Sequence, residues 1–120
     1  MKILIVEDNA DITEALLDEL DQHECETASN GTKASELISL KSYDLVITDI
    51  NFPGGGGERI LNELSTKSIP VIVFTCQPDY EFKKYYTLGA TKVISKSYLG
   101  RLLNSIREIE KISKESQKAS

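Results

Sequence analysis

Five short β-rich runs, separated by longer stretches of helical periodicity, restrict this chain to very few architectures, because such alternation builds parallel sheets from βαβ units. KILIV at 2–6 and IPVIVFT at 69–75 are apolar almost throughout, as strands covered on both faces must be. ECETA at 24–28 alternates and is more polar, which predicts an outer strand, and DLVIT at 44–48 and TKVIS at 91–95 supply two more. Between them Ile12, Ala15, Leu16 and Leu20 share one helix face, as do Ala34, Leu37 and Ile38, then Ile60, Leu61 and Leu64. A fourth helix with a thin apolar stripe is predicted over 79–88, ended by Gly89 in the left-handed conformation. The fifth carries Leu99, Leu102, Leu103, Ile106 and Ile109, with Gly100 in its first turn.

At 120 residues the chain has the size of one domain. Residues 1–112 are expected to form that domain, and the polar run SKESQKAS at 113–120 to be a solvated helix end or a linker stub. The net charge of −5 argues against direct contact with nucleic acid or anionic membrane, both of which require clustered Lys and Arg. Cys25 and Cys76 have neither CxxC spacing nor a His/Cys cluster around them, so both are expected to be reduced and partly buried. No apolar run approaches the ~20 residues of a membrane span, and a cytoplasmic location follows by default. His23 is expected to be exposed and partnerless. GGGG at 54–57 is expected to make a mobile loop.

Parallel α/β sheets gather their chemistry just beyond the carboxyl ends of the strands. Those ends hold Glu7 and Asp8, then Asp49, then Thr75, then Lys96. Each has an ordinary structural explanation alone: a helix N-cap for Asp8, turn chemistry for Asp49, solvent for Glu7 and Lys96, a plain strand end for Thr75. Their agreement in order, type and position outweighs those explanations. Three neighbouring carboxylates repel unless a cation neutralises them, and hard oxygen ligands favour Mg²⁺, an ion suited to phosphoryl chemistry. On that reading Asp49 is a carboxylate nucleophile, Lys96 a point charge and Thr75 a hydroxyl donor to a phosphoryl oxygen.

The acidic pair, the aspartate of DLVITDINFPGGGGE, the threonine of IPVIVFT and the lysine of GATKVISK together resemble the receiver domain of two-component response regulators, over nearly the whole chain. The resemblance implies a doubly wound, flavodoxin-like fold with five parallel strands in the order 2-1-3-4-5. It implies Mg²⁺ held by Asp8, Asp49 and the main-chain carbonyl of Asn51, with Glu7 acting through water or orienting the site. It also implies a phosphoryl group received on Asp49 from a sensor histidine kinase or phosphotransfer protein, with Thr75 and Lys96 closing on it. A downstream protein would then read the face formed by the fourth helix, fifth strand and fifth helix. Such a domain is not an enzyme beyond its own phosphorylation and dephosphorylation.

The chain departs from the family pattern in three places. Ser97 stands where a proline usually follows the lysine in a cis bond, so the peptide is expected to be strained or trans. Val93 replaces the aromatic residue three positions before the lysine, and Tyr98 is one candidate substitute. Cys76 replaces a small residue after the threonine. Tyr80, Phe82, Tyr85 and Tyr86 are expected chiefly to pack the fourth helix, and Lys83, Lys84 and Lys92 to make its surroundings locally positive. Two other functions fit less well. A never-phosphorylated adaptor has no chemical need for the acidic pair, Asp49, Thr75 and Lys96 together. A haloacid-dehalogenase-type phosphatase needs a second aspartate where Asn51 stands.

Overall fold

The five strands form one parallel sheet in the order β2-β1-β3-β4-β5, with β1 at Lys2–Val6, β2 at Glu24–Ala28, β3 at Leu45–Thr48, β4 at Val71–Thr75 and β5 at Lys92–Ser95. The helices are α1 (Ala10–Glu19), α2 (Gly31–Leu40), α3 (Gly57–Thr66), α4 (Phe82–Thr87) and α5 (Leu99–Ala119). This is a computed structural model, and it describes residues 1–51 and 56–119. The expectation of a mobile glycine loop falls on Gly54 and Gly55, outside the described residues. Gly56 and Gly57 instead form the N-cap and first residue of α3.

Strand pleating divides the core between two faces. Leu4, Val6, Val46, Val71 and Val73 turn to the side covered by α2, α3 and α4, where they meet Ala34, Ile38, Ile60, Leu61, Leu64 and Tyr85. Ile3, Ile5, Leu45, Ile47, Ile72 and Phe74 turn to the other, against Leu16, Leu102 and Ile106 of α1 and α5. Each such side chain, fully buried, contributes about 1.5–3 kcal/mol. The near-continuous apolar runs of β1 and β4 are thus the consequence of being covered twice.

Three strands are shorter than the sequence pattern predicts, most clearly β4, which begins at Val71 rather than 69. Pro70 has no N–H to donate, although its carbonyl still accepts from the Val46 N–H at 3.0 Å. The fourth helix opens with a 3₁₀ turn at Asp79–Glu81 before α4 proper. It ends as predicted, with Gly89 at φ 116° and the Ala90 N–H bonded to the Tyr85 carbonyl at 3.0 Å. α5 continues straight through position 112, so the polar run 113–119 is helical.

Two expectations need correction. His23 is not partnerless: its Nδ1 lies 3.1 Å from the Met1 ammonium and 3.4 Å from Glu110, because the long α5 passes over the amino-terminal edge of the sheet. Cys76 is exposed, since it follows the last residue of β4 into the loop above the sheet, whereas Cys25 is half-buried as expected and both thiols are free.

Candidate functional site

The sheet ladder carries the site residues into place. Glu7 and Asp49 lie one step beyond β1 and β3, and their N–H groups donate to the carbonyls of Ala28 and Val6, each at 3.0 Å. Asp8 follows Glu7, and Asn9 caps α1, its Oδ1 accepting from the Asp11 and Ile12 N–H groups at 2.9 and 3.2 Å. Asn9, not Asp8, is therefore the helix cap, which leaves the Asp8 carboxylate for other work. The Lys96 N–H donates to the Thr75 carbonyl at 2.9 Å and fixes the end of β5 to the end of β4.

At the centre the Lys96 ammonium bridges two carboxylates, 2.6 Å from Asp49 Oδ2 and 2.8 Å from Glu7 Oε2. Asp49 Oδ1 accepts from the N–H groups of Ile50 at 2.6 Å and Asn51 at 3.3 Å, and Glu7 Oε1 from the Asn9 N–H at 3.1 Å. Both carboxylates are buried, while Asp8 is exposed at the solvent side. Burial pushes the Glu7 carboxyl above its usual range, against the opposing pull of Lys96 and the Asn9 N–H. Burial alone would lower the Lys96 ammonium, but its hydrogen bonds to Asp49 and Glu7 outweigh that and raise it.

Carboxylate oxygens of Glu7, Asp8 and Asp49 lie within 4.8 Å of one another, a set of hard donors open to solvent through Asp8. That donor chemistry fits Mg²⁺. Asn51 adjoins Asp49 at the solvent edge through its N–H. Thr75 is fully buried, and its Oγ1 accepts from the Gln77 N–H at 3.1 Å, which leaves the hydroxyl proton free to donate elsewhere. Four of the predicted residues, Glu7, Asp8, Asp49 and Lys96, are thus gathered side chain to side chain. Thr75 shares the same edge with its hydroxyl turned to its own loop.

The peptide after Lys96 is trans, as are all bonds among the described residues, and the lysine reaches Asp49 from it. Val93 is buried, and its N–H on the outer edge of β5 donates to the Tyr86 hydroxyl at 3.1 Å. The aromatic cluster divides: Tyr85 is buried, Phe82 packs against the core, and Tyr80 and Tyr86 are exposed. Tyr98 lies at the surface with the Arg101 guanidinium 4.3 Å from its ring centre.

Two supporting residues escaped sequence reasoning. The buried Thr48 hydroxyl donates to the Asp49 carbonyl at 2.6 Å and steadies the turn after β3. Gly57 lets α3 approach that turn, since a Cβ there would sit 2.3 Å from the Ile50 carbonyl oxygen. The glycine run was the visible signal for the second; Thr48, inside a strand, gave none.

A fold of this topology, with an acidic pocket bridged by a strand-end lysine, defines a class of signalling module, and comparison with known proteins agrees. The model of the response regulator receiver domain matches residues 3–107. The chain belongs to that family: it is the receiver domain of a two-component response regulator. The transcriptional regulatory protein KdpE of Staphylococcus aureus is 33% identical over 122 aligned positions, covering 97% of this chain and 52% of KdpE. The response regulator protein FleR of Pseudomonas aeruginosa is 27% identical, covering 87% of this chain and 26% of FleR. The chain therefore spans at most about half the length of these relatives. Among solved structures, the response regulator TrrA of Thermotoga maritima in complex with Mg(2+)-BeF superposes with a TM-score of 0.80 at 30% identity, over 90% of this chain and 97% of that one. Among the described residues no helix is long and apolar enough to cross a membrane.

Proposed function

We propose that this domain accepts a phosphoryl group on Asp49 from a phosphohistidine donor, a sensor histidine kinase or phosphotransfer protein, in a Mg²⁺-dependent reaction. The observation that carries the proposal is the Lys96 ammonium, held 2.6 Å from Asp49 Oδ2 beside an acidic pocket of oxygen donors. Glu7, Asp8 and Asp49, with the Asn51 carbonyl, are the residues that would hold the metal. Mg²⁺ bound there would offset the carboxylate charge and the charge of the transferring group. The Mg(2+)-BeF complex of the Thermotoga relative supports this assignment.

An Asp49 carboxylate oxygen forms the new O–P bond as the bond from phosphorus to the donor imidazole breaks. The nucleophile is already anionic, so the reaction needs no general base. Ile50 and Asn51 N–H groups orient one carboxylate oxygen, and Lys96 neutralises charge beside the other. The Thr75 hydroxyl, whose proton is uncommitted, donates to a phosphoryl oxygen after a rotation or a shift of its loop. The modified domain then alters its affinity for a downstream protein at the α4, β5 and α5 face, in the cytoplasm.

The test is intact-protein mass after incubation with Mg²⁺ and acetyl phosphate. Wild type gains one phosphoryl group and Asp49→Ala gains none. An unmodified wild type that remains folded would overturn the proposal in favour of an adaptor acting only by protein binding.

A further inference from the structure

Three unlike donor atoms meet at the amino-terminal edge of the sheet, the edge opposite Asp49. His23 Nδ1 lies 3.1 Å from the Met1 amino nitrogen and 3.4 Å from Glu110 Oε2. They come from three separate segments: the residue before β1, the turn between α1 and β2, and the second half of α5.

Each donor is seated by the fold. Chain ends usually fray, but the Met1 carbonyl accepts from the Glu24 N–H at 3.0 Å and the Lys2 N–H donates to Asp44 Oδ2 at 2.7 Å, so the amine is held from both sides of β1. The His23 N–H donates to the Leu20 carbonyl at 2.9 Å and closes the turn after α1. Met1 and Ile109 pack against the same core, which brings Glu110 to this edge. Lys114 takes Glu110 Oε1 at 3.4 Å and leaves Oε2 turned to His23.

Hydrogen bonding alone does not satisfy the three groups. A bare Nδ1 accepts from the ammonium and then has no proton to offer Glu110, whereas a protonated Nδ1 donates to Glu110 and opposes the ammonium. A metal ion between them removes the conflict, because amine, imidazole and carboxylate can all give it a lone pair. In four-coordinate Zn²⁺, with bonds of about 2.0–2.1 Å, donor atoms stand about 3.3–3.4 Å apart, close to both separations seen here. A cavity of about 190 Å³ lined by Met1, Asp44, Glu110, Ser113 and Lys114 adjoins them and leaves room for water in the fourth position.

We infer that Met1, His23 and Glu110 form a second metal site, for a divalent transition-metal ion of the Zn²⁺ class. The Met1 amine, His23 Nδ1 and Glu110 Oε2 bind the ion, and the ammonium proton passes to solvent. Two nitrogen donors distinguish this site from the pocket at Asp49, whose oxygens suit Mg²⁺. The bound ion joins the start of β1 and the turn before β2 to α5, and so pins the second half of that helix to the sheet.

The probe is Zn²⁺ alone, titrated calorimetrically into the full chain with Mg²⁺ in excess, so that the oxygen pocket is already filled. One equivalent is expected to bind, with proton release read from buffers of different ionisation heat. His23 is the one histidine of the chain, so its imidazole ¹⁵N signals report the site in the unmodified protein and are expected to shift. His23→Gln and Glu110→Gln each weaken binding at least about tenfold, as does a Gly-Ser extension ahead of Met1 that displaces the amine. Cys25→Ser leaves binding unchanged, and phosphoryl uptake from acetyl phosphate, measured by mass, persists in every variant that is folded. No Zn²⁺ bound below about 100 µM, unshifted His23 signals, equal affinity in Glu110→Gln or in the extended chain, or loss in Cys25→Ser would each overturn the inference.

Discussion

Replacing Lys96 by methionine keeps most of the apolar stem and removes the one cation between two buried carboxylates. Oxygens of Glu7 and Asp49 lie within 4.8 Å of each other, and at an effective dielectric of about 20 such a pair repels by about 3 kcal/mol. The same magnitude follows from the usual result of stripping one partner from a buried ion pair. The loss should depend on pH. Glu7 is already raised by burial, and loss of Lys96 removes its main opposing influence, so its folded pKa climbs further above the unfolded value. A carboxyl raised in this way stabilises the folded state at low pH and loses that contribution as pH rises through the folded pKa. Urea denaturation should therefore show a deficit of about 3 kcal/mol against wild type at pH 8 and under about 1 kcal/mol at pH 5. Mg²⁺ should stabilise the variant by about 2.7 kcal/mol at a hundredfold excess over its Kd, and wild type by less at the same concentration, because Lys96 no longer competes for Asp49 in the variant. An equal deficit at both pH values, indifferent to Mg²⁺, would show that Lys96 acts through its stem alone and would refute the argument.

Gly57→Ala drives a Cβ to 2.3 Å from the Ile50 carbonyl, so α3 or the turn after β3 must shift; a loss of about 2–3 kcal/mol in urea denaturation, with slower phosphorylation by acetyl phosphate, is expected. Ser68 holds φ 57° at the end of α3, where the Ile69 N–H bonds to the Leu64 carbonyl at 3.2 Å. Ser68→Gly keeps that cap without the Cβ penalty and should raise stability by about 1 kcal/mol, read as a higher urea midpoint with unchanged slope. Burial first, then the negative charge of Glu26, push the Tyr43 phenol from 10.0 up to about 12. Its neutral form therefore stabilises the fold fully below pH 10 and that stability is lost as pH rises towards about 12; burial raises the Tyr85 phenol as well, so an ultraviolet titration should show late-ionising tyrosine absorbance that falls by one tyrosine in Tyr43→Phe.

What the sequence made legible was whatever depends on backbone periodicity. The five strands, the two-sided cover of β1 and β4, and the placing of Glu7, Asp8, Asp49, Thr75 and Lys96 at one edge all follow from where apolar runs stop. A strand's last residue is fixed by the pleat and needs no knowledge of rotamers. Gly89 could be assigned its left-handed conformation for the same reason, since the helix pattern ends there and glycine pays no steric penalty. Ser68 could not be, because nothing in a serine announces that the chain turns left-handed at it.

Contacts made by side chains from distant segments were illegible on the same logic. Glu7 looked like a carboxylate acting at one remove, yet it shares the ammonium of Lys96 with Asp49 at 2.8 Å, an arrangement that depends on how far β5 slides along β4. Register there is set by Val73 facing Val93 and Thr75 facing Ser95, and a slip by one residue would turn the Lys96 side chain to the other face of the sheet. Val93 also joins the core beside Tyr85 and gives its outward N–H to Tyr86. The strand that fixes the lysine of the site is thus the one that α4 grips from outside.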